Sequence, residues 1–164
     1  PSAKIDDVRV MDKFSFITTN EKDGNYILEV FRKNKEGRLP LVEEAKKGIK
    51  TLSVNDVKEL SNKQEVTLID VRDIREIWKE GTIENSIHIP RGMLEFWLDP
   101  ESSYFKANKI NDIKKMVLFC ALGWRSALAT KSLVDMGFKN VAHVDGGFDA
   151  LKKNGFKVIT KEKK

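Results

Sequence analysis

At 164 residues, 40% of them hydrophobic, the chain can bury an ordinary single-domain core, and a mean hydropathy of −0.42 marks it as soluble. The net charge of +5 comes from lysines interspersed with acids; no basic face interleaved with stacking aromatics appears, which excludes nucleic acid as the expected partner, and no apolar run approaches membrane-spanning length, which excludes a membrane. A single cysteine excludes an internal disulfide and fits a reducing, cytoplasmic setting, although the opening on Pro1 rather than Met leaves room for a removed leader.

Residues 1–38 read as an N-terminal extension. Residues 14–19 and 26–31 favour strand, and the polar segment 20–25 between them has turn chemistry, so a β-hairpin is the expectation. Its rival is an amphipathic helix through 26–31, since Ile27, Val30 and Phe31 share a helical face. Residues 40–47 read as a short helix opened by Pro40 and stopped by Gly48.

From residue 49 onward, strands alternate with helices. Residues 49–52 read as strand, followed by a helix over 54–60 that Ser53 can cap. Residues 65–71 form a near-continuous apolar strand of the buried parallel kind. Asp73 followed by Glu76 fits a capping box for a helix through Trp78 and Lys79, ended by Gly81. Residues 86–89 are a short strand stopped by Pro90. Residues 91–105 are mixed, with a helical stretch broken at Asp99-Pro100. Strand 116–120 leads into a helix through Met136, residues 140–144 form the last strand, and a final helix over 148–153 follows the turn Asp145-Gly146-Gly147. This alternation implies an α/β fold with a parallel sheet. Ligands in such sheets bind at the carboxyl ends of the strands, where Cys120, Asp70 and Asp145 fall. The tail 161–164 is a basic, solvated terminus.

The stretch around Cys120 carries the chemistry. Cys120 ends a strand, Gly123 follows in a short loop, Arg125 closes it, and a helix begins at about Ser126. Backbone N–H groups converge on such a strand-to-helix turn. With the positive end of the helix dipole, they favour a thiolate over a thiol. The plain alternative is a buried core cysteine. His88 and His143 have no ligand spacing with Cys120, so no metal or cofactor is expected.

Four spaced motifs then coincide: Leu68-Ile69-Asp70-Val71-Arg72 with Glu76; the segment Gly81 to Pro90; Cys120-Ala121-Leu122-Gly123-Trp124-Arg125-Ser126; and Met136-Gly137-Phe138 followed by Asp145-Gly146-Gly147-Phe148. In this order they resemble the rhodanese family, the single-domain sulfurtransferases, over 49–158. The resemblance implies a rhodanese-like domain over 39–160 with a five-stranded parallel sheet flanked by helices. It implies that Cys120 carries a transferred sulfur as a persulfide, that the loop Ala121, Leu122, Gly123, Trp124 and Arg125 supplies N–H groups to it, and that Asp70 steadies the loop by accepting hydrogen bonds. Asn85 and Leu151 depart from the family pattern at turn or packing positions.

Four residues separate Cys120 from Arg125. The related loops of cysteine-dependent phosphatases are one residue longer, and a tighter ring of N–H groups suits a terminal sulfur better than a phosphate. The expected reaction is a double displacement. Cys120 takes sulfur from a small anionic, thiosulfate-like donor and yields it to cyanide, a thiol or a protein acceptor. Arg125 stabilises the anionic sulfur, while Arg72 and Arg91 either hold the donor or form structural ion pairs. Glu95 reads as a solvated helix position. A binding or sulfur-relay module without turnover, a cysteine-dependent phosphatase and a thiol-redox enzyme are the other readings; a resolving cysteine for the last is absent from the sequence. No motif sets the oligomeric state.

Overall fold

The computed structural model describes residues 7–10, 15–33, 40–110, 113 and 115–163. Two compact units are present, Pro1–Pro40 and Leu41–Lys164.

In the first unit β1 (Asp7–Val10) pairs antiparallel with β2 (Ser15–Thr18), and α1 (Glu21–Lys33) follows. A hairpin is therefore present, but not the expected one. Its second strand is the segment around residues 15–18, while 26–31 is helical, as the rival reading had it. The physical reason lies at Asn20. Its side chain accepts from the Asp23 backbone N–H at 3.0 Å, so the polar segment taken for a turn is a helix N-cap. Glu21 and Asp23 in the first turn suit the positive end of the helix.

Helix α2 (Pro40–Lys47) begins at the last residue of the first unit, and β3 (Thr51–Leu52) and α3 (Val54–Asn62) follow in the second. Then come β4 (Thr67–Asp70), α4 (Ile74–Glu80), β5 (Thr82–Ile83) and β6 (Ile87–His88). A 3-10 turn, Arg91–Met93, leads into α5 (Leu94–Leu98) and α6 (Ala107–Ile110). The chain closes with β7 (Met116–Phe119), α7 (Trp124–Asp135), β8 (Val141–Val144), α8 (Gly147–Lys153) and β9 (Val158–Ile159). Five strands form the expected parallel sheet in the order β3-β8-β7-β4-β6. The antiparallel pair β5 and β9, two residues each, was not foreseen, because so short a segment shows no alternation.

Strand β7 is central and buried along its whole length. Its side chains alternate between the two faces. Met116, Leu118 and Cys120 enter the core that includes Leu94, Ala129 and Leu133, while Val117 and Phe119 enter the one that includes Val57, Phe148 and Leu151. Period two therefore puts Cys120 on the α7 side. Both halves of the expected capping box at Asp73 with Glu76 are made, and Ser53, expected as a cap, forms a full box with Asp56. Among the described residues no helix is long and apolar enough to cross a membrane.

Candidate active site

Cys120 lies one residue past β7 and is 2% exposed. Its Sγ accepts a hydrogen bond from the Gly123 N–H at 3.2 Å. Gly123 is the N-cap of α7, with φ of +97°, and no side chain caps the helix. Helix α7 thus starts at Trp124, two residues before the expected point, and its first-turn N–H groups have no acceptor within the helix. The left-handed φ favours glycine, and a Cβ there would come within 3.2 Å of the Gly146 nitrogen.

The loop is braced from α8. The Phe148 N–H donates to the Cys120 carbonyl at 2.7 Å, and the Asp149 N–H to the Ala121 carbonyl at 3.3 Å. These donors reach the loop because Gly147 has no side chain; a Cβ there would collide with both carbonyl oxygens. Sequence reasoning read Asp145-Gly146-Gly147 as a turn and missed this support. The paired glycines were the signal for a close backbone approach.

Arg125 reaches across to α4. Its Nη1 and Nη2 donate to Glu76 Oε2 and Oε1 at 2.6 and 2.7 Å, a bidentate pair. Glu76 Oε2 also accepts from the Asp73 N–H at 3.1 Å. The capping box of α4 therefore aims the carboxylate that holds the arginine. The pair keeps the Glu76 carboxyl below its ordinary range. It also holds the Arg125 guanidinium charged more firmly than usual, with a smaller contribution from the Cys120 sulfur. Sequence reasoning saw Glu76 as a cap and did not foresee its second partner.

Asp70 and Arg72 are both fully buried. Asp70 accepts from the Arg72 backbone N–H, from Arg72 Nε and Nη2 at 2.8–3.2 Å, and from Thr82 Oγ1 at 2.7 Å. None of these donors belongs to the Cys120 loop, so the expected direct bracing of the loop by Asp70 is not what its geometry provides. Arg72 spends its remaining donors on Glu80 and the Gly81 carbonyl, and its guanidinium lies 3.8 Å from the Phe148 ring centroid. With no exposed surface and every side-chain nitrogen committed, it is a structural ion pair and not a donor-holding cation.

Arg91 grips both oxygens of Glu95 at 2.7 and 2.9 Å and donates to Ser132 Oγ at 3.1 Å. Ser132 lies roughly 9 Å along α7 from Ser126, at 1.5 Å per residue. Arg91 thus braces the middle of that helix rather than the loop, and Glu95, expected to be solvated, is its partner. Leu122 and Trp124 flank Gly123 and are 53% and 42% exposed. The structure therefore places Cys120, Ala121, Leu122 and Gly123 in the loop and Trp124 and Arg125 in the first turn of α7, and sets Asp70, Arg72 and Arg91 outside both.

His88 Nε2 lies 2.9 Å from the Arg72 carbonyl oxygen, and His143 Nε2 lies 2.9 Å from Thr51 Oγ1. Burial, reinforced by Lys46, pushes the His143 imidazole down to about 4.

The Rhodanese-like domain family matches residues 53–154, and the chain belongs to that family. The chain is 31% identical over 103 residues to a mouse thiosulfate sulfurtransferase/rhodanese-like domain-containing protein 3; the match covers 60% of this chain and 66% of that protein, so it spans a little under two thirds of this relative. An Arabidopsis thaliana rhodanese-like domain-containing protein 17 is 32% identical, over 69% of this chain and 74% of its own. Among solved structures, a Rhodopseudomonas palustris protein of unknown function, named as a possible tyrosine phosphatase, matches with a TM-score of 0.67. It is 45% identical and covers 73% of this chain and 91% of its own.

Proposed function

We propose that this protein is a sulfurtransferase that carries sulfane sulfur as a persulfide on Cys120. The observation that carries the reading is the Gly123 N–H directed at the Cys120 sulfur, in a loop whose helix end no side chain caps. An anionic sulfur at that point gains from backbone donors without reorganisation. Membership of a family whose relatives include sulfurtransferase-named proteins supports the same chemistry.

In the first step the Cys120 thiolate attacks the outer sulfur of the donor. The donor's S–S bond breaks and its electron pair leaves with the remainder. In the second step a thiophilic acceptor, cyanide or a thiol, attacks the persulfide's outer sulfur and regenerates the Cys120 thiolate. Arg125, held by Glu76, stands as the fixed positive charge of the loop, and Asp70 acts at a distance by holding Arg72 under Phe148, whose N–H meets the Cys120 carbonyl. The name of the Rhodopseudomonas relative makes phosphate-ester hydrolysis the second reading. The four-residue spacing between Cys120 and Arg125 favours sulfur, because the ring of donors is too short to surround a phosphate.

Thiocyanate formation from cyanide decides between them, with thiosulfate and an organic persulfide as donors and wild type compared with Cys120→Ser. Loss of the catalysed rate in the mutant is expected, together with no hydrolysis of an aryl phosphate by wild type. Equal thiocyanate rates in the two proteins, or phosphate release that depends on Cys120, would overturn the proposal.

A further inference from the structure

The family match begins at residue 53, so α2 lies outside it, yet one of its side chains reaches the turn that braces the Cys120 loop. Val42, Ala45 and Lys46 fall at i, i+3 and i+4 and share one face of the helix. Val42 and Ala45 are buried, and Lys46 stands at the edge of that face with a side chain 27% exposed. Its Nζ donates to Asp145 Oδ1 at 3.1 Å. That oxygen lies 3.7 Å from the point a Gly123 Cβ would occupy. Since the Gly123 N–H meets Sγ at 3.2 Å, the Asp145 carboxylate is within roughly 9 Å of the sulfur. The same two charges reach His143, where burial comes first in pushing the imidazole down, Lys46 adds to it and Asp145 opposes it. Of the acids on neighbouring helices, Glu76 on α4 is held by Arg125, and Asp149 on α8 is exposed, where solvent screens it.

Resting on the sulfur-transfer reading, we propose that Lys46 is a positioning residue of this site: acting through Asp145, it cancels a carboxylate charge beside Gly123 and so admits anionic sulfur to Cys120. The reaction brings negative charge to the loop at each stage, as thiolate, as incoming donor and as leaving group. An unbalanced carboxylate at roughly 9 Å opposes each unit of that charge by about threefold in rate, at a dielectric between those of water and protein. The backbone donors of the loop are fixed in place. The side-chain charge next to them therefore decides whether their field reaches an anion undiminished. The helix that supplies this charge precedes the matched family residues, so the working site is larger than the family domain.

The chain has a single cysteine, so alkylation reports on Cys120 alone. The test compares second-order rates for iodoacetate, an anion, and iodoacetamide, its uncharged counterpart, at one pH and low salt. Both reagents consume the same thiolate, so their ratio cancels its abundance and reactivity and leaves the field that an incoming anion meets. Lys46→Gln is expected to lower the iodoacetate-to-iodoacetamide ratio about threefold, and Asp145→Asn to raise it by a similar factor. Lys46→Arg is expected to keep the wild-type ratio. Lys46→Gln combined with Asp145→Asn is expected to restore it, which a merely structural contact would not do. Salt at about 1 M is expected to erase the differences, because the screening length then falls to about 3 Å. A ratio that Lys46→Gln leaves unchanged, a double variant as low as the single one, or a wild-type Cys120 that neither reagent modifies would overturn the inference. Sulfur loading from thiosulfate and an organic persulfide, read by mass on the same proteins, stands apart. A wild type that alkylates as expected but takes up no sulfur from either donor would overturn the sulfur-transfer reading and leave the charge balance at Cys120 in place.

Discussion

Arg72 and Arg125 are both gripped by carboxylates, and both follow a strand end by a few residues. Their surroundings separate them. Arg72 is fully buried, bonded to Asp70, Glu80 and the Gly81 carbonyl, and stacked on Phe148. Arg125 has a side chain 41% exposed, a single carboxylate partner, and the Cys120 sulfur nearby. The first is enclosed and serves the fold; the second remains within reach of a ligand. An arginine in a motif announces a charge, and only its burial and the number of its donors left over say what the charge is for.

The largest effect should come from the buried site. Asp70→Ala leaves buried Arg72 with only the partly exposed Glu80 as a charged partner, and breaking a buried pair costs about 3–5 kcal/mol. Urea denaturation should show an unfolding free energy lowered by that amount, and a loss under about 1 kcal/mol would mean that Arg72 finds other charge or water. Arg125→Ala should behave in the opposite manner. Unfolding should move by about 1 kcal/mol or less, as for other partly exposed pairs. Sulfur transfer should fall a hundredfold or more, since one charge-assisted donor to a developing anion is worth about 2.7–4 kcal/mol. Turnover within about twofold of wild type, a difference of only about 0.4 kcal/mol, would make Arg125 structural like Arg72.

His143 sharpens the contrast, because it is buried without a carboxylate partner: its Nε2 meets a hydroxyl and its Nδ1 has no partner. Its folded pKa is lowered from the ordinary 6.5 to about 4, so the folded state favours the neutral ring. The stability this protects is complete above pH 6.5 and is lost as pH falls from there toward about 4. The slope approaches about 1.4 kcal/mol per pH unit. Denaturation midpoints of wild type and His143→Gln across that range should converge as pH falls; parallel curves would show that the ring does not report the burial. The smallest effect belongs to Glu76. Its pKa is lowered below the ordinary 4.5, first by the hydrogen bonds from Arg125. Its contribution is therefore complete above about 4.5 and disappears as pH falls through the lower folded value. The difference in midpoint between wild type and Glu76→Gln should stay constant from neutrality to about pH 5 and shrink only below that. A difference already shrinking near pH 6 would mean that the pair does not hold the carboxylate.

Much of the α/β unit was legible because its signals are local. The apolar run around Leu68 and Ile69, the Asp73-to-Glu76 box and the glycine after Cys120 each specify their own few residues. The segment 26–31 was not, because a capping asparagine and a turn asparagine look alike until the strand partner is known. The site divided in the same way. Cys120 and its loop are contiguous, so sequence spacing showed them together. The partners that decide what each arginine does, Glu76 for Arg125, Glu80 for Arg72 and Ser132 for Arg91, come from elements 8 to 49 residues away. Nothing in a strand-and-helix pattern ranks those pairings. The Gly147 support was hidden for another reason: a glycine that admits a neighbouring carbonyl reads the same as one that merely turns.

The central claim is that Cys120 carries the sulfur, and intact mass tests it most directly. Wild type and Cys120→Ser are incubated with a sulfane donor, desalted and weighed, and then treated with cyanide and weighed again. The account predicts that wild type gains one sulfur atom, that cyanide removes it, and that the serine variant gains none. An unmodified wild type, or an equal gain in the variant, would contradict it.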